Sequence, residues 1–439
     1  MVFAIKTGGF DNGLGFCLCF FHIIMNGGLA TAKWASGGAV GTEPASSRRP
    51  LRQDLGAGKT QKGNFLDATR DPHDHKDPWI IDGKTHLRGL SLAGLGEFVG
   101  SLGEPPYRVR QVSSWLYEKI AGDFSEMTDL PLATRETLRK NALLSSFRRV
   151  SVQVSQVDGT RKYLFELHDG NAVESVLMRH DKRITFCVSS QVGCPLDCRF
   201  CQTSKGQFRR NLSAGEILDE ICHLKKECLE EADKVNIVFM GMGEPLLNYR
   251  SLVQAIGVIN GAPGFELGSK RVTVSTSGLP RRMKNLAGEG LKCSLALSLN
   301  ATTDAKRREL MPAVSKYTIE EIIEAARYYA DKIRRRVTLE YVLLRGENTS
   351  MADARRLGKI ARRGSFKINL IPYNPGRDGG FETLDEDELQ AFIRELLPYS
   401  PTVTVRRSKG PDIFAACGQL WTESLAPRGH GASRETREI

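Results

Sequence analysis

Cys194-Pro-Leu-Asp-Cys198-Arg-Phe-Cys201 places three thiols at CxxxCxxC spacing, with the aromatic Phe200 directly before the last. Ahead of it, Arg183-Ile-Thr-Phe-Cys-Val-Ser-Ser alternates like a strand, and from Ser213 onward the pattern is helical. The cysteines therefore sit on a short loop between a strand and a helix, where three sulfurs must converge. Thiolates are soft ligands that suit iron–sulfur clusters or zinc. Structural zinc usually takes four ligands, often as two CxxC pairs, and no second pair or HxxxH follows. Three cysteines on a four-iron cluster would leave one iron open to a substrate. The competing reading is a zinc loop that borrows a remote fourth ligand.

Outward from that loop, strands and helices alternate. Strands are expected at 184–189, 235–240, 271–275, 293–299, 336–343 and 367–372. Helices are expected at about 213–230, 249–260, 280–288, 318–333 and 351–363. Six such units in order predict an α/β fold, a parallel sheet curled into a partial (βα)6 barrel over 183–425. Its chemistry belongs at the C-terminal strand ends. Upstream, runs at 150–157, 162–167 and 172–179 are separated by Asp158-Gly159 and Asp169-Gly170, a strong hairpin signal, and make 150–182 a β-hairpin connector. Before them, helical spacing at 90–102, 107–120 and 132–144 predicts a small helical domain over 88–148, with Arg108, Arg110, Lys119 and Arg139 available to contact RNA. Residues 1–85 lack sustained periodicity and read as a disordered extension, and 426–439 as a polar tail.

The totals narrow the class. The chain has 439 residues, 41% hydrophobic and 26% charged, with net charge +11, which fits a globular protein with an acidic polymer such as RNA as partner. Ten cysteines in so long a chain do not make a secreted disulfide scaffold. Clustered thiols call for a reducing compartment, so a cytoplasmic location is expected. No run of eighteen apolar residues occurs, so no membrane partner is expected. The apolar 14–25 stretch imitates a signal-peptide core, but export would oxidise the ligand thiols.

The strand ends carry the remaining motifs. The second predicted strand ends in Gly241-Met-Gly243-Glu244-Pro-Leu-Leu-Asn248, where glycines admit a ligand to the backbone and Glu244 can accept from an ammonium group. Ser275, the 298–300 stretch (Ser298, Leu299, Asn300) and Asn374 end the third, fourth and sixth strands. Each could serve a ribose or carboxylate, or simply cap the next helix. Cys187 lies on the first strand and Cys417 in Ala415-Ala-Cys-Gly-Gln-Leu420, where a glycine neighbour makes exposure plausible. The other cysteines read as inert buried residues.

Cys187-Val-Ser-Ser-Gln-Val-Gly-Cys-Pro-Leu-Asp-Cys-Arg-Phe-Cys201, Arg210-Asn-Leu, Gly241-Met-Gly-Glu-Pro-Leu-Leu-Asn, Val274-Ser-Thr-Ser-Gly, Asn369-Leu-Ile-Pro-Tyr-Asn-Pro and Ala415-Ala-Cys-Gly-Gln-Leu together resemble the RlmN/Cfr radical-SAM RNA methyltransferases, from about residue 90 to 420. The resemblance implies one [4Fe-4S] cluster on Cys194, Cys198 and Cys201, and S-adenosyl-L-methionine held by Gly243, Glu244, Ser275, Ser298, Leu299, Asn300 and Asn374. It implies methylation at C2 of an adenosine in 23S rRNA and of the tRNA adenosine 3′ of the anticodon. Cys417 would carry the methyl group, Glu174 would act as base, and Cys187 would resolve a protein–RNA thioether through a disulfide with Cys417. An electron donor such as flavodoxin or ferredoxin and a monomeric enzyme are further expectations. Cfr-like C8 methylation is the alternative, and a non-catalytic zinc-bearing RNA-binding protein a second one. Two departures stand out: Asn300 occupies a position where many relatives have His, and Gly206-Gln207 reverses the usual order.

Overall fold

The computed structural model describes residues 80–180, 183–228, 235–377, 380–400 and 402–422. Ten strands form one sheet: β1 (Phe147–Val154), β2 (Arg161–Leu167), β3 (Ala172–His180), β4 (Arg183–Cys187), β5 (Val235–Phe239), β6 (Val272–Thr276), β7 (Ser294–Ser298), β8 (Val337–Leu343), β9 (Phe366–Pro372) and β10 (Val403–Val405). Spatial order is chain order. β4 to β10 are parallel, and β1 to β3 join antiparallel at the β4 edge. The two hairpins thus extend the main sheet. The expected six βα units are present, and β10 adds a seventh parallel strand. With three residues, β10 is too short to show a period of two.

Local chemistry explains the boundaries. β1 ends at Val154 because Ser155 N–H donates to the Thr160 carbonyl (2.8 Å) and Gly159 N–H to the Ser155 carbonyl (3.1 Å), closing a six-residue loop. The helix after the cysteine loop, α4 (Ala214–Lys226), begins with a capping box between Ser213 and Glu216. α5 (Tyr249–Asn260), α6 (Pro280–Gly288), α7 (Asp304–Leu310), α8 (Ile319–Ile333), α9 (Met351–Ala361) and α10 (Glu386–Leu396) follow. The sequence reading did not foresee α7 or α10. α8 shows the usual logic: a Thr318–Glu321 capping box starts it, and Ile322, Ile323, Ala326 and Tyr329 bury one face.

Helices α1 (Leu92–Ser101), α2 (Arg108–Tyr117) and α3 (Leu132–Asn141) make up the small helical region. The unstructured reading through residue 85 is corrected at its end. Ile80–Ile81 pairs with Lys84–His86, which pairs in turn with Ala142–Leu143. Such two- and three-residue strands carry no sequence period, and their third partner lies far along the chain. The rest of the 1–85 expectation, and the tail at 426–439, lie outside the described residues. The helical region locks to α4 through Asp219. His86 Nε2 lies 3.2 Å and Arg88 Nη1 3.0 Å from its carboxylate, and Ser146 donates its N–H (2.7 Å) and hydroxyl (2.9 Å). Among the described residues no helix is long and apolar enough to cross a membrane.

Candidate active site

Because β4 to β9 run parallel, their following loops meet at one edge of the sheet. There they enclose a cavity of about 910 Å³, counted out to its open mouth. Cys194, Cys198 and Cys201 line it from the β4 loop, Gly243 and Glu244 from the β5 loop, and Ser275, Ser298 and Asn300 from the next two strand ends. Asn374 and Cys417 complete the wall.

The β5 loop shows why glycine is required. Gly243 has φ +100°, and a Cβ there would lie 2.5 Å from Gln191 Cβ. Gln191 in turn accepts the Glu244 N–H (2.8 Å). The Glu244 carboxylate accepts from the N–H groups of Leu246 (3.0 Å) and Ser277 (2.8 Å) and is only 3% exposed. Burial nevertheless raises its pKa, so a cationic ligand group would be welcome beside it.

Burial likewise pushes the Cys194 and Cys198 thiols far above their ordinary range, with the neighbouring cysteine sulfurs adding to the effect. The Cys194 and Cys198 thiols thus resist ionisation until cationic iron joins them. The donor set therefore fits a thiolate-ligated iron–sulfur cluster. Among the described residues, no group of three or more His, Cys, Asp or Glu side chains is placed to hold a single metal ion.

Two expected residues sit differently from the rest. The Leu299 side chain is fully buried in the core and does not line the cavity. Its strand-end position is occupied instead by backbone, whose carbonyl accepts from Arg307 Nη1 at 2.5 Å. Asn300 reaches the cavity wall in a left-handed conformation (φ +55°), its Oδ1 accepting the Val342 N–H at 3.0 Å. Sequence reasoning missed Arg307, whose guanidinium also donates to the carbonyls of Ser298 and Ser277 and so ties the ends of β6 and β7 together. Burial lowers its pKa to about 10. One arginine in the helical 304–310 run looks like any solvated residue, so no sequence signal marked it.

Cys417 also opens onto a second cavity, about 420 Å³, which it shares with Cys187, Asn374, Arg406, Arg407 and Lys409. Residues 230 positions apart thereby face one space. Asn374 Nδ2 donates to the Cys417 carbonyl (3.3 Å), and Gln202 N–H, beside the last cluster cysteine, donates to the Gly418 carbonyl (2.7 Å). Burial pushes Cys187 up to about 12, with Cys417 adding to the rise. It raises Cys417 too, against the pull of the Arg406 guanidinium. Arg406, missed at the sequence level within an ordinary basic run, also contacts Met240 Sδ (3.1 Å).

Glu174, on β3, is buried and lines neither of these two cavities. Lys162 Nζ lies 3.0 Å from its Oε1, and the Trp421 N–H donates to its Oε2 at 2.9 Å. Both side chains of the ion pair are at most 7% exposed. Burial raises the Glu174 pKa, and Lys162 opposes the rise. Lys162 faces Glu174 because the β2–β3 register sets the two strands antiparallel with Lys162 opposite Val176.

Residues 188–357 match the family described as the Radical SAM superfamily, and residues 85–144 match the ribosomal RNA large subunit methyltransferase N-terminal domain. A Thermotoga maritima protein named probable dual-specificity RNA methyltransferase RlmN is 43% identical over 344 residues, covering 78% of this chain and 99% of that one. The dual-specificity RNA methyltransferase RlmN of Geotalea uraniireducens is 41% identical over 337 residues, with 77% and 96% coverage. Among solved structures, a radical SAM methyltransferase from Sphaerobacter thermophilus superposes with a TM-score of 0.74 at 39% identity, covering 76% of this chain and 98% of that one.

Proposed function

Since the chain belongs to the RlmN family of radical-SAM RNA methyltransferases, we propose that it methylates C2 of adenosine in 23S rRNA and in tRNA through a methylated cysteine. The observation that carries this reading is the placement of Cys417. It lines both the cavity of the three cluster cysteines and the cavity that holds Cys187 and three basic side chains. The relatives' names give dual-specificity RNA methylation, and C2 is taken over C8 because it is the commoner, housekeeping activity of the resembled family.

Cys194, Cys198 and Cys201 would hold a [4Fe-4S] cluster, and Gly243, Glu244, Ser275, Ser298, Asn300 and Asn374 would hold S-adenosylmethionine. Bound there, the pair supplies a hydrogen-abstracting radical. Cys417 is the nucleophile that polar methyl transfer requires, because an amidine ring carbon is itself electrophilic. The one-carbon unit on Cys417 Sγ then bonds to the adenine ring, which joins protein to RNA. Glu174 takes the ring proton. Its burial gives it the basicity that an ordinary surface carboxylate lacks. Cys187 as thiolate attacks the Cys417 sulfur: the S–S bond forms as the S–C bond breaks, the electron pair leaves with the ring-bound carbon, which takes a proton to become the methyl group, and a thiol reductant reopens the disulfide. Arg406, Arg407 and Lys409 offer the phosphate backbone its counter-charge. A low-potential electron donor and a cytoplasmic site of action complete the reading.

The test is anaerobic reconstitution with an rRNA fragment, followed by mapping of the methyl group. Wild type should yield 2-methyladenosine, Cys417→Ala none, and Cys187→Ala a stable protein–RNA adduct on a denaturing gel. Full turnover by Cys417→Ala would end the two-cysteine reading, and 8-methyladenosine would move the chemistry to the other carbon.

A further inference from the structure

A third cavity, about 410 Å³ counted out into open solvent, shares no lining residue with the two just described. Its wall includes Asn171, Thr203, Gln207, Arg209, Trp421 and Thr422. They come from the β2–β3 turn, the segment after the cluster loop and the chain beyond Cys417. All three segments are tied to the reaction machinery. Thr203 Oγ1 donates to the Leu420 carbonyl (2.6 Å), and Thr422 Oγ1 donates to the Ala172 carbonyl (3.2 Å). The Trp421 backbone N–H donates to Glu174. A ligand against Trp421 is therefore one residue from the base, outside the space needed by the cluster and S-adenosylmethionine.

The lining has the chemistry of nucleotide recognition. Trp421 offers an indole, Asn171 and Gln207 offer amides that can both donate and accept, and Arg209 is an exposed cation. The indole is held in place from two directions. A Cβ at Gly206 would lie only 3.4 Å from indole Cδ1 and Nε1, and the Arg377 guanidinium lies 5.2 Å from the ring centroid. The backbone carrying Gln207 is equally constrained, since a Cβ at Gly193 (φ +74°) would meet the Gln207 carbonyl oxygen at 2.4 Å. The unusual Gly206-Gln207 order thus sets the smaller residue against the indole and the amide on the cavity wall.

We propose that this cavity takes one unpaired nucleotide flanking the target adenosine, its base stacked on Trp421 and its phosphate met by Arg209. The assignment rests on the RNA-methyltransferase reading above. A base seated there pulls the flanking nucleotide out of its stack and leaves the target base exposed for the two cysteines.

The experiment uses reconstituted full-length enzyme and a stem-loop RNA containing the target adenosine. Abasic nucleotides replace, one at a time, the two positions on either side. One position should cost wild type roughly 10- to 100-fold in kcat/KM for RNA, as loss of a stacked base does. Trp421→Ala should cost about as much on intact RNA, and the variant should lose little more on the abasic RNA. Arg209→Ala should raise KM more than it lowers kcat and should flatten the salt dependence by about one phosphate contact. Iron content equal to wild type serves as the folding check, and Arg209→Ala with Asn171→Ala repeats the cycle should Trp421→Ala not fold. Penalties that add fully at all four positions, with methylation of intact RNA normal, would overturn the cavity assignment alone. Failure of wild type to methylate the intact RNA would overturn the functional reading as well.

Discussion

Two buried carboxylates, Asp219 and Glu174, each face basic side chains, yet their pKa values move in opposite directions. At Asp219 burial is outweighed by His86, Arg88 and the two Ser146 donors, and its pKa falls well below the ordinary value. At Glu174, Lys162 and one backbone N–H do not overcome burial, and the pKa rises. The first is a saturated anion that joins the helical region to the barrel. The second is a carboxylate whose proton affinity is left high, as a base requires. What separates the joint carboxylate from the one proposed as base is donor count, since both are buried.

Breaking the saturated site should produce the largest effect on stability. Asp219→Ala leaves Arg88 and His86 buried without their partner and should cost about 3–5 kcal/mol in denaturant unfolding. The difference from wild type should be complete above the ordinary aspartate value of 3.8 and fade as pH falls toward the depressed folded value. A loss below 1 kcal/mol at neutral pH would mean that Asp219 is not the joint.

Glu174→Gln should do the reverse. Methylation should fall roughly 100-fold or more, while the melting temperature moves less than in Asp219→Ala. Linkage points the same way: folding favours the protonated Glu174, so its ionisation costs nothing below about 4.5 and costs stability as pH rises through the raised folded value. Near-normal turnover in Glu174→Gln would assign the proton to another group.

Lys162→Met sharpens the comparison with a smaller effect. Without the ammonium group, the acid limb of the rate–pH profile should move upward by about one unit or more. Lys162→Arg should restore much of it. A rate lowered equally at every pH would make Lys162 a packing residue only.

Much of this was legible in one dimension. The cysteine spacing, the alternation of strand and helix after residue 183, and the Asp-Gly turns are local patterns, and the chain keeps them nearly in register. The strand-end residues Glu244, Ser275, Ser298, Asn300 and Asn374 follow from parallel order alone, because parallel strands deliver their ends to one edge. Short elements escaped. β10 and the paired strands at 80–86 and 142–143 are set by partners that no local period announces.

Linear pattern places the cysteine loop, the alternation of strands and helices, and the segments carrying Cys187 and Cys417, the two thiols of the proposed reaction. Only the tertiary structure decided which charges meet them. Arg406 in the cavity of Cys187 and Cys417, Arg307 on the Ser277 carbonyl and the wall made by Trp421 and Arg209 join segments distant in the chain, and Lys162 meets Glu174 only through the β2–β3 register. The reason is physical: periodicity and turn chemistry act over a few residues, whereas burial and Coulomb attraction depend on distance in space and on what solvent is excluded.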